Sequence, residues 1–187
     1  FLKIFDVNDG KKYFNVGSRF DIYILKNNSD NKNTEIHIKK NYKYTIQKIN
    51  LKKWNFIPNH SFNTFNKILK SSVEEGLEVL YDSTFYHSQK KNTNTTFESD
   101  NPDYNLKIVH TINQEGLGFI YAKEDKGHFM VSKVILNKNK NQYPYNDYEG
   151  NYGMSELSFG LKTKSKKEGV LYIKAIQTDK FKNIIDA

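Results

Sequence analysis

The stretch from Tyr104 to Leu136, YNLKIVHTINQEGLGFIYAKEDKGHFMVSKVIL, constrains the fold more than any other part of this chain. Leu106, Ile108, His110 and Ile112 alternate with Lys107, Val109 and Thr111, the period-two pattern of a strand with one buried face. Phe119 and Tyr121 alternate with Ile120 and Ala122, and Phe129 and Val131 with Met130 and Ser132. Glu115-Gly116 and Asp125-Lys126-Gly127 supply turn residues between these runs, with glycine free to adopt positive φ. The pattern predicts a three-run antiparallel meander at the core.

The flanking sequence extends this β reading. Phe1 to Val7 reads as an edge strand closed by a turn at Asn8-Asp9-Gly10. Arg19 to Leu25 alternates around Phe20, Ile22 and Ile24, and Ile36, Ile38, Tyr42, Tyr44 and Ile46 continue the alternation. Leu157, Phe159 and Leu161 form another alternating run, Val170 to Ile176 reads as the last strand, and Lys180 to Ala187 as a helical turn or link. Beyond Pro58 the period changes: Phe62, Phe65, Ile68, Leu69 and Val73 recur at helical spacing behind Ser61 as N-cap. One amphipathic helix is therefore expected near 61–80, with Gly76 as an early stop that would turn 77–86 into a strand. The expected fold is mainly β, a β-sandwich or partly closed barrel of about 8–10 short antiparallel strands with that one helix. With 187 residues, long enough to bury a core without staples, the chain reads as a single β-rich domain over 1–187, with the polar loop 89–102 as the place for a subdivision.

Composition limits the function classes. The formal net charge of +8 suits an anionic partner, but Arg19 is the one arginine among 29 basic residues. Arginine is the residue that bidentate base and phosphate recognition favours, so nucleic acid is an unfavoured partner. Lys, Asn, Ile, Tyr and Phe are encoded by A/T-rich codons, and an AT-rich genome accounts for much of the balance. The absence of cysteine excludes disulfides, thiolate catalysis and cysteine-ligated metal centres. No apolar run reaches the ~20 residues of a membrane-spanning helix. The first residue, Phe1, is read as the start of a processed or trimmed chain, which points to export to the periplasm, the medium or the cell surface, with the cytoplasm as the other option.

Candidate sites are few. Tyr143, Tyr145, Tyr148 and Tyr152 lie in an otherwise polar loop, where each offers a flat apolar face and a hydroxyl at small entropic cost. Trp54, the single tryptophan, is a second candidate platform, beside Phe56. His37, His60, His87, His110 and His128 have no paired-ligand spacing, and Glu74, Glu75 and Glu78 read as a solvated helix face. Lys162, Lys164, Lys166 and Lys167 read as a solvated hairpin tip. No phosphate-binding glycine loop, nucleophile elbow or zinc-protease motif is present, and no catalytic residue, cofactor or metal is assigned.

Gly116-Leu117-Gly118-Phe119, followed by Gly127-His128-Phe129-Met130-Val131-Ser132-Lys133-Val134, resembles the opening of a PDZ domain. That resemblance implies a loop whose backbone N–H groups receive a peptide carboxylate, and a peptide strand added beside Phe119 to Tyr121. The glycine-rich turn and groove-lining helix expected after Val134 have no counterpart in Asn137 to Tyr152. The reading the sequence favours is a non-catalytic, exported or surface-associated domain that binds a protein partner within an assembly, or a glycan, through its aromatic loop. Its alternatives are an enzyme with dispersed residues, a lysine-rich nucleic-acid binder and a PDZ-like peptide binder.

Overall fold

A computed structural model describes residues 2–4, 7–16, 21–23, 34–40, 43–50, 58, 62–68, 76–81, 94–138 and 143–185. The chain is mainly β with few helices, and it gathers into two compact units, Phe1–Leu69 and Lys70–Asp186.

In the first unit the described strands are β1 (Leu2–Ile4), β2 (Asp21–Tyr23), β3 (Thr34–Lys40) and β4 (Lys43–Ile49), forming one sheet in the order β2-β1-β3-β4. The N-terminal strand is thus interior, antiparallel to β2 and parallel to β3, and not the expected edge. Asn8-Asp9-Gly10, read from sequence as a turn, lies inside helix α1 (Val7–Phe14). Two terminal effects outweigh the local turn preference. Asn15 closes the helix in the left-handed conformation (φ 54°), donating its N–H to Lys11 O at 3.1 Å, and Lys11 and Lys12 lie in the last turn, where the helix dipole favours cations. The helix expected beyond Pro58 is α2 (Phe62–Ile68), with Phe62 and Phe65 buried three apart on one face. It does not run to Leu80, since Val79–Leu80 is strand β5. Ser61, Glu74 and Glu75 lie outside the described residues.

The second unit holds two further sheets. Strands β7 (Leu106–Asn113) and β8 (Gly116–Ala122) form the expected hairpin, flanked by β6 (Thr95–Thr96) and β11 (Gly153–Met154) in the order β11-β7-β8-β6. The hairpin turns because Asn113 Oδ1 accepts from the N–H groups of both Glu115 (2.9 Å) and Gly116 (3.2 Å), with Gly116 at φ 126°. The simple alternation fails at one point. Val109 pairs with Phe119 and Thr111 with Gly118, so His110 is an extra residue, a β-bulge. The bulge moves Ile112 from the face of Ile108 to that of Val109. Val109 and Ile112 pack with Ile135 and Met154, whereas Ile108 packs with Ile120 and Ala122 on the opposite face.

The third meander run takes a different course. Phe129-Met130-Val131 is a turn and not a strand: Asp125 Oδ1 accepts from His128 N–H at 2.9 Å, and Met130 is left-handed at φ 57°. The strand starts at Lys133, as β9 (Lys133–Asn137), and joins the other sheet with β10 (Tyr145–Asp147), β12 (Ser158–Lys162) and β5, in the order β10-β9-β12-β5. All the side chains from Lys133 to Leu136 are buried because both faces of β9 are covered. Ile135 faces Val109 and Met154, while Val134 and Leu136 face Ile176, Tyr172, Ile173 and Phe181.

Those last residues are helical, which corrects the reading of Val170 to Ile176 as a strand. Helix α3 spans Lys166–Ile176, and α4 spans Asp179–Ile185. Ser165 caps the helix in a variant of the capping box: Ser165 Oγ accepts from Glu168 N–H at 3.2 Å, and Glu168 Oε2 reaches one residue past the cap to accept from Lys164 N–H at 2.5 Å. Tyr172, Ile173 and Ile176 then form an apolar stripe toward β9, and Gly169, one turn earlier, lies against Asn146 of β10. Lys166 and Lys167, expected at a hairpin tip, open this helix.

Two predictions follow from the backbone and the cap. A Cβ on Gly150 (φ 71°) would lie 2.5 Å from Val131 N, whereas one on Gly127 (φ 78°) would meet nothing within 4 Å. Gly127→Ala should therefore cost about 1 kcal/mol for its left-handed backbone alone, and Gly150→Ala about 3 kcal/mol or more once the clash is added; chemical denaturation of the two variants separates them. The cap bonds hold the Glu168 carboxyl below its usual range, first through Lys164 N–H and then through Tyr172. A depressed carboxyl stabilises the helix above the ordinary range of glutamate and loses that contribution as pH falls through the lowered value. Amide exchange in the first turn of α3 should accelerate on acidification in the wild type, and Glu168→Gln should remove that dependence.

Candidate functional site

The tyrosine segment is fastened by buried polar contacts to β9 and to the turn before it. Lys133 and Asp147 stand opposite each other on β9 and β10, and their side chains are 0% and 1% exposed. Lys133 Nζ donates to Asp147 Oδ2 at 2.7 Å, His128 O at 2.7 Å and Val131 O at 3.1 Å. Three acceptors meet the three N–H bonds of an ammonium group. Burial pulls the Lys133 amine below its ordinary range, and the hydrogen bond and charge of Asp147 oppose that shift. Gly160, on the facing strand, provides the space: a Cβ there would lie 3.1 Å from Lys133 Cδ and 2.9 Å from Met154 Sδ.

Asp147 turns this pair into an anchor for the loop. Its Oδ1 accepts from Asn151 N–H at 2.8 Å and its Oδ2 from Tyr152 N–H at 3.1 Å. Ser132 Oγ donates to Tyr148 O at 2.5 Å, and Met130 N–H donates to Gly150 O at 2.9 Å. His128 is buried, and its Nδ1 accepts from Met154 N–H at 3.1 Å, at the second residue of the two-residue pairing with β7. Residues 147–154 are thus held at both ends and in the middle.

On this frame Tyr143, Tyr145 and Tyr148 are 40%, 37% and 44% exposed. Tyr152 is half-buried, its ring centroid 5.2 Å from Phe119 at 33°, and the Tyr145 ring meets it edge-on at 5.9 Å. Lys107 Nζ lies 5.8 Å from the Phe119 ring centroid. Tyr145, Tyr152, Phe119 and Lys107 therefore form a continuous row along the margin of the core between the two sheets. Burial first, then the neighbouring Tyr152 and Asp147, hold the Tyr145 phenol above its ordinary range, so it remains a neutral hydroxyl. Beside the loop, Met130 is 89% exposed.

Of the four tyrosines named from sequence, Tyr145 and Tyr152 are in ring contact, and Tyr143 and Tyr148 are exposed on the same segment; Trp54 lies outside the described residues. Sequence reading missed Lys133, Asp147 and His128, which make the frame; a lysine and an aspartate inside β runs were the available signal. Of the other histidines named from sequence, His60 and His87 lie outside the described residues. His37 shares a hydrogen bond with Glu35 at 2.6 Å, and His110 Nδ1 lies 3.0 Å from Ser155 Oγ. Ser155 is fully buried, and its Oγ also accepts from Leu157 N–H at 3.2 Å. Among the described residues no group of three or more acidic or histidine side chains is arranged to hold a metal ion, and no helix is long and apolar enough to cross a membrane. Gly116-Leu117-Gly118-Phe119 lies in β8, paired with β7 from Asn113 back to Val109 across the bulge at His110.

Comparison with protein-family models, curated proteins and solved structures found no match for this chain.

Removing one member of the buried pair tests the frame. Asp147→Ala should destabilise the second unit by about 3–5 kcal/mol, because Lys133 is left charged and unpaired in the core. Lys133→Met combined with Asp147→Leu should cost clearly less than Asp147→Ala alone. Equilibrium denaturation of the three variants measures the difference.

Proposed function

We propose that this chain is a non-catalytic binding domain, and that the exposed rim of the 143–152 loop, centred on Tyr143, Tyr145 and Tyr148, is its contact surface for a protein partner. The observation that carries this reading is the combination of three tyrosines exposed by 37–44% with a loop backbone fixed from below by a buried ion pair. Aromatic anchors on a pre-ordered loop bind without the entropic cost of ordering the loop at the moment of contact. Tyrosine adds a large contact area with only two rotatable side-chain angles, and the neutral Tyr145 hydroxyl adds a directional hydrogen bond. The rings favour a protein over a sugar: Tyr145 meets Tyr152 edge-on and Tyr152 tilts against Phe119, so they do not form the coplanar faces on which a glycan chain stacks. The cation at Lys107 and the carboxylate of Glu149 give the row opposite charges near its two ends, which suits orientation of a polypeptide partner.

The test is a triple substitution, Tyr143→Ser, Tyr145→Ser and Tyr148→Ser, compared with the wild type in affinity capture from the native source and on a glycan array. A protein partner held by the wild type should be lost at least tenfold from the variant, with the thermal transition shifted by only a few degrees. Equal retention by both proteins overturns the site, and glycan binding that is lost from the variant moves the ligand class to carbohydrate.

A further inference from the structure

Helix α3 turns one face to the sheet and leaves the other exposed. Tyr172, Ile173 and Ile176 pack on Val134 and Leu136 of β9, and the outward positions are Lys166, Lys167, Val170, Leu171, Lys174 and Ala175. Val170 and Leu171 are 41% and 55% exposed. Residues three and four apart are neighbours on a helix, so these two aliphatic side chains lie between Lys166 and Lys167 on one side and Lys174 on the other. The helix has one acid, Glu168, and its two oxygens are taken by Lys164 N–H and by the Tyr172 hydroxyl. Lys162 is paired with Glu78 and Lys182 with Asp179, whereas among the described residues Lys166, Lys167 and Lys174 form no ion pair.

Helix stability does not account for this placement. The N-terminal end of a helix carries positive partial charge, so the ammonium groups of Lys166 and Lys167 in the first turn oppose the dipole, and only Lys174 in the last turn is favoured by it. An aliphatic pair set among unpaired cations matches the boundary layer of an anionic bilayer. There ammonium groups meet headgroup phosphates while short apolar side chains enter between the headgroups. We infer that the outer face of α3 docks on an anionic lipid bilayer, with Lys166, Lys167 and Lys174 on the headgroups and Val170 and Leu171 at the acyl boundary. The contact lies in the plane of the surface and needs no membrane-crossing helix. A nucleic acid fits this face less well: it would use the cations but leave the aliphatic pair idle, since bases are held by aromatic rings or arginine. The inference does not rest on the partner proposed for the tyrosine loop.

The experiment is co-sedimentation of the full chain with vesicles of phosphatidylcholine alone, or of equal parts phosphatidylcholine and phosphatidylglycerol, at low and high salt. The wild type should bind the anionic vesicles at low salt, leave them at high salt and ignore the neutral ones. Each lysine at an anionic surface is worth about fivefold in partitioning, so Lys166→Gln, Lys167→Gln and Lys174→Gln together should weaken binding by about a hundredfold. Val170→Ser with Leu171→Ser should weaken it by about tenfold through lost apolar contact. Removing the same charge from the first unit, with Lys11→Gln, Lys12→Gln and Lys48→Gln, should leave it nearly unchanged. All of these side chains are exposed, and an unshifted thermal transition confirms that each variant folds. Failure to bind anionic vesicles, or equal binding to neutral ones, overturns the proposal. So does an equal loss in both lysine variants, which would reduce the attraction to net charge, or full binding by the serine variant, which would remove the aliphatic pair from the contact. A wild type that retains a single-stranded RNA oligonucleotide but no vesicle overturns it in favour of nucleic acid.

Discussion

Lys133 and Asp147 form the interaction on which the second unit depends. Two charges taken fully out of water do not repay their desolvation by mutual attraction alone; here the remaining hydrogen-bonding capacity of both groups is used by the backbone around them. The ammonium draws in the carbonyls of His128 and Val131, and the carboxylate draws in the N–H groups of Asn151 and Tyr152. The pair thereby fixes the course of two irregular segments that carry little apolar surface of their own. It also fixes register. A one-residue slip of β10 against β9 would turn Asp147 toward the helices and Tyr145 away from Tyr152, because strand side chains alternate with period two. An apolar pair of equal volume could stabilise as well, but it would not discriminate among registers so sharply.

The same logic explains the bulge at His110. The extra residue leaves Val109 O positioned to accept from Ser155 N–H at 3.1 Å and Ser158 Oγ at 2.8 Å, which joins the first sheet to the turn leading into β12. It also brings Ile112 onto the face of Val109, so that one strand supplies residues to the inter-sheet core despite a break in its alternation. Small residues complete the arrangement at the points of closest approach. Gly160 leaves room for the Lys133 stem, and Gly153 lies where a Cβ would be 2.4 Å from Ile108 Cδ1.

These features differ in how far the sequence displays them, for physical reasons. The β7–β8 hairpin was legible because alternation and an Asn-Gln-Glu-Gly turn agree locally. The α3 segment was not, because VLYIKAI satisfies a strand period and a helical one equally; the deciding signals were Ser165 and Glu168 three residues apart and the spacing of Gly169, Ile173 and Ile176. The departure of β9 into a second sheet depends on Asp125 and on a left-handed Met130, and no propensity assigns a left-handed conformation to methionine. The tyrosine loop was visible as a cluster. Its rigidity was not, because the Lys133–Asp147 contact spans 14 residues and lysine within a β run usually marks a solvated edge.

The distribution of cost within the unit bears on function. The left-handed Met130, the left-handed Gly150 packed against its backbone, the buried ion pair and the buried histidine acceptor all converge on residues 128–154. Among the described residues, the β7–β8 hairpin and the packing of α3 on β9 rest on apolar clusters. A loop that only had to connect β9 to β12 could be held by a few apolar contacts, and a short turn would serve. Backbone strain and buried charge persist where the surroundings over-determine them, and they concentrate where a surface must keep one shape. Here the over-determined backbone lies beneath Tyr145, Tyr148 and Met130, side chains that remain substantially exposed. Besides fixing register, buried charge beneath an exposed aromatic rim is what the binding surface proposed above would need in order to present those rings in one arrangement.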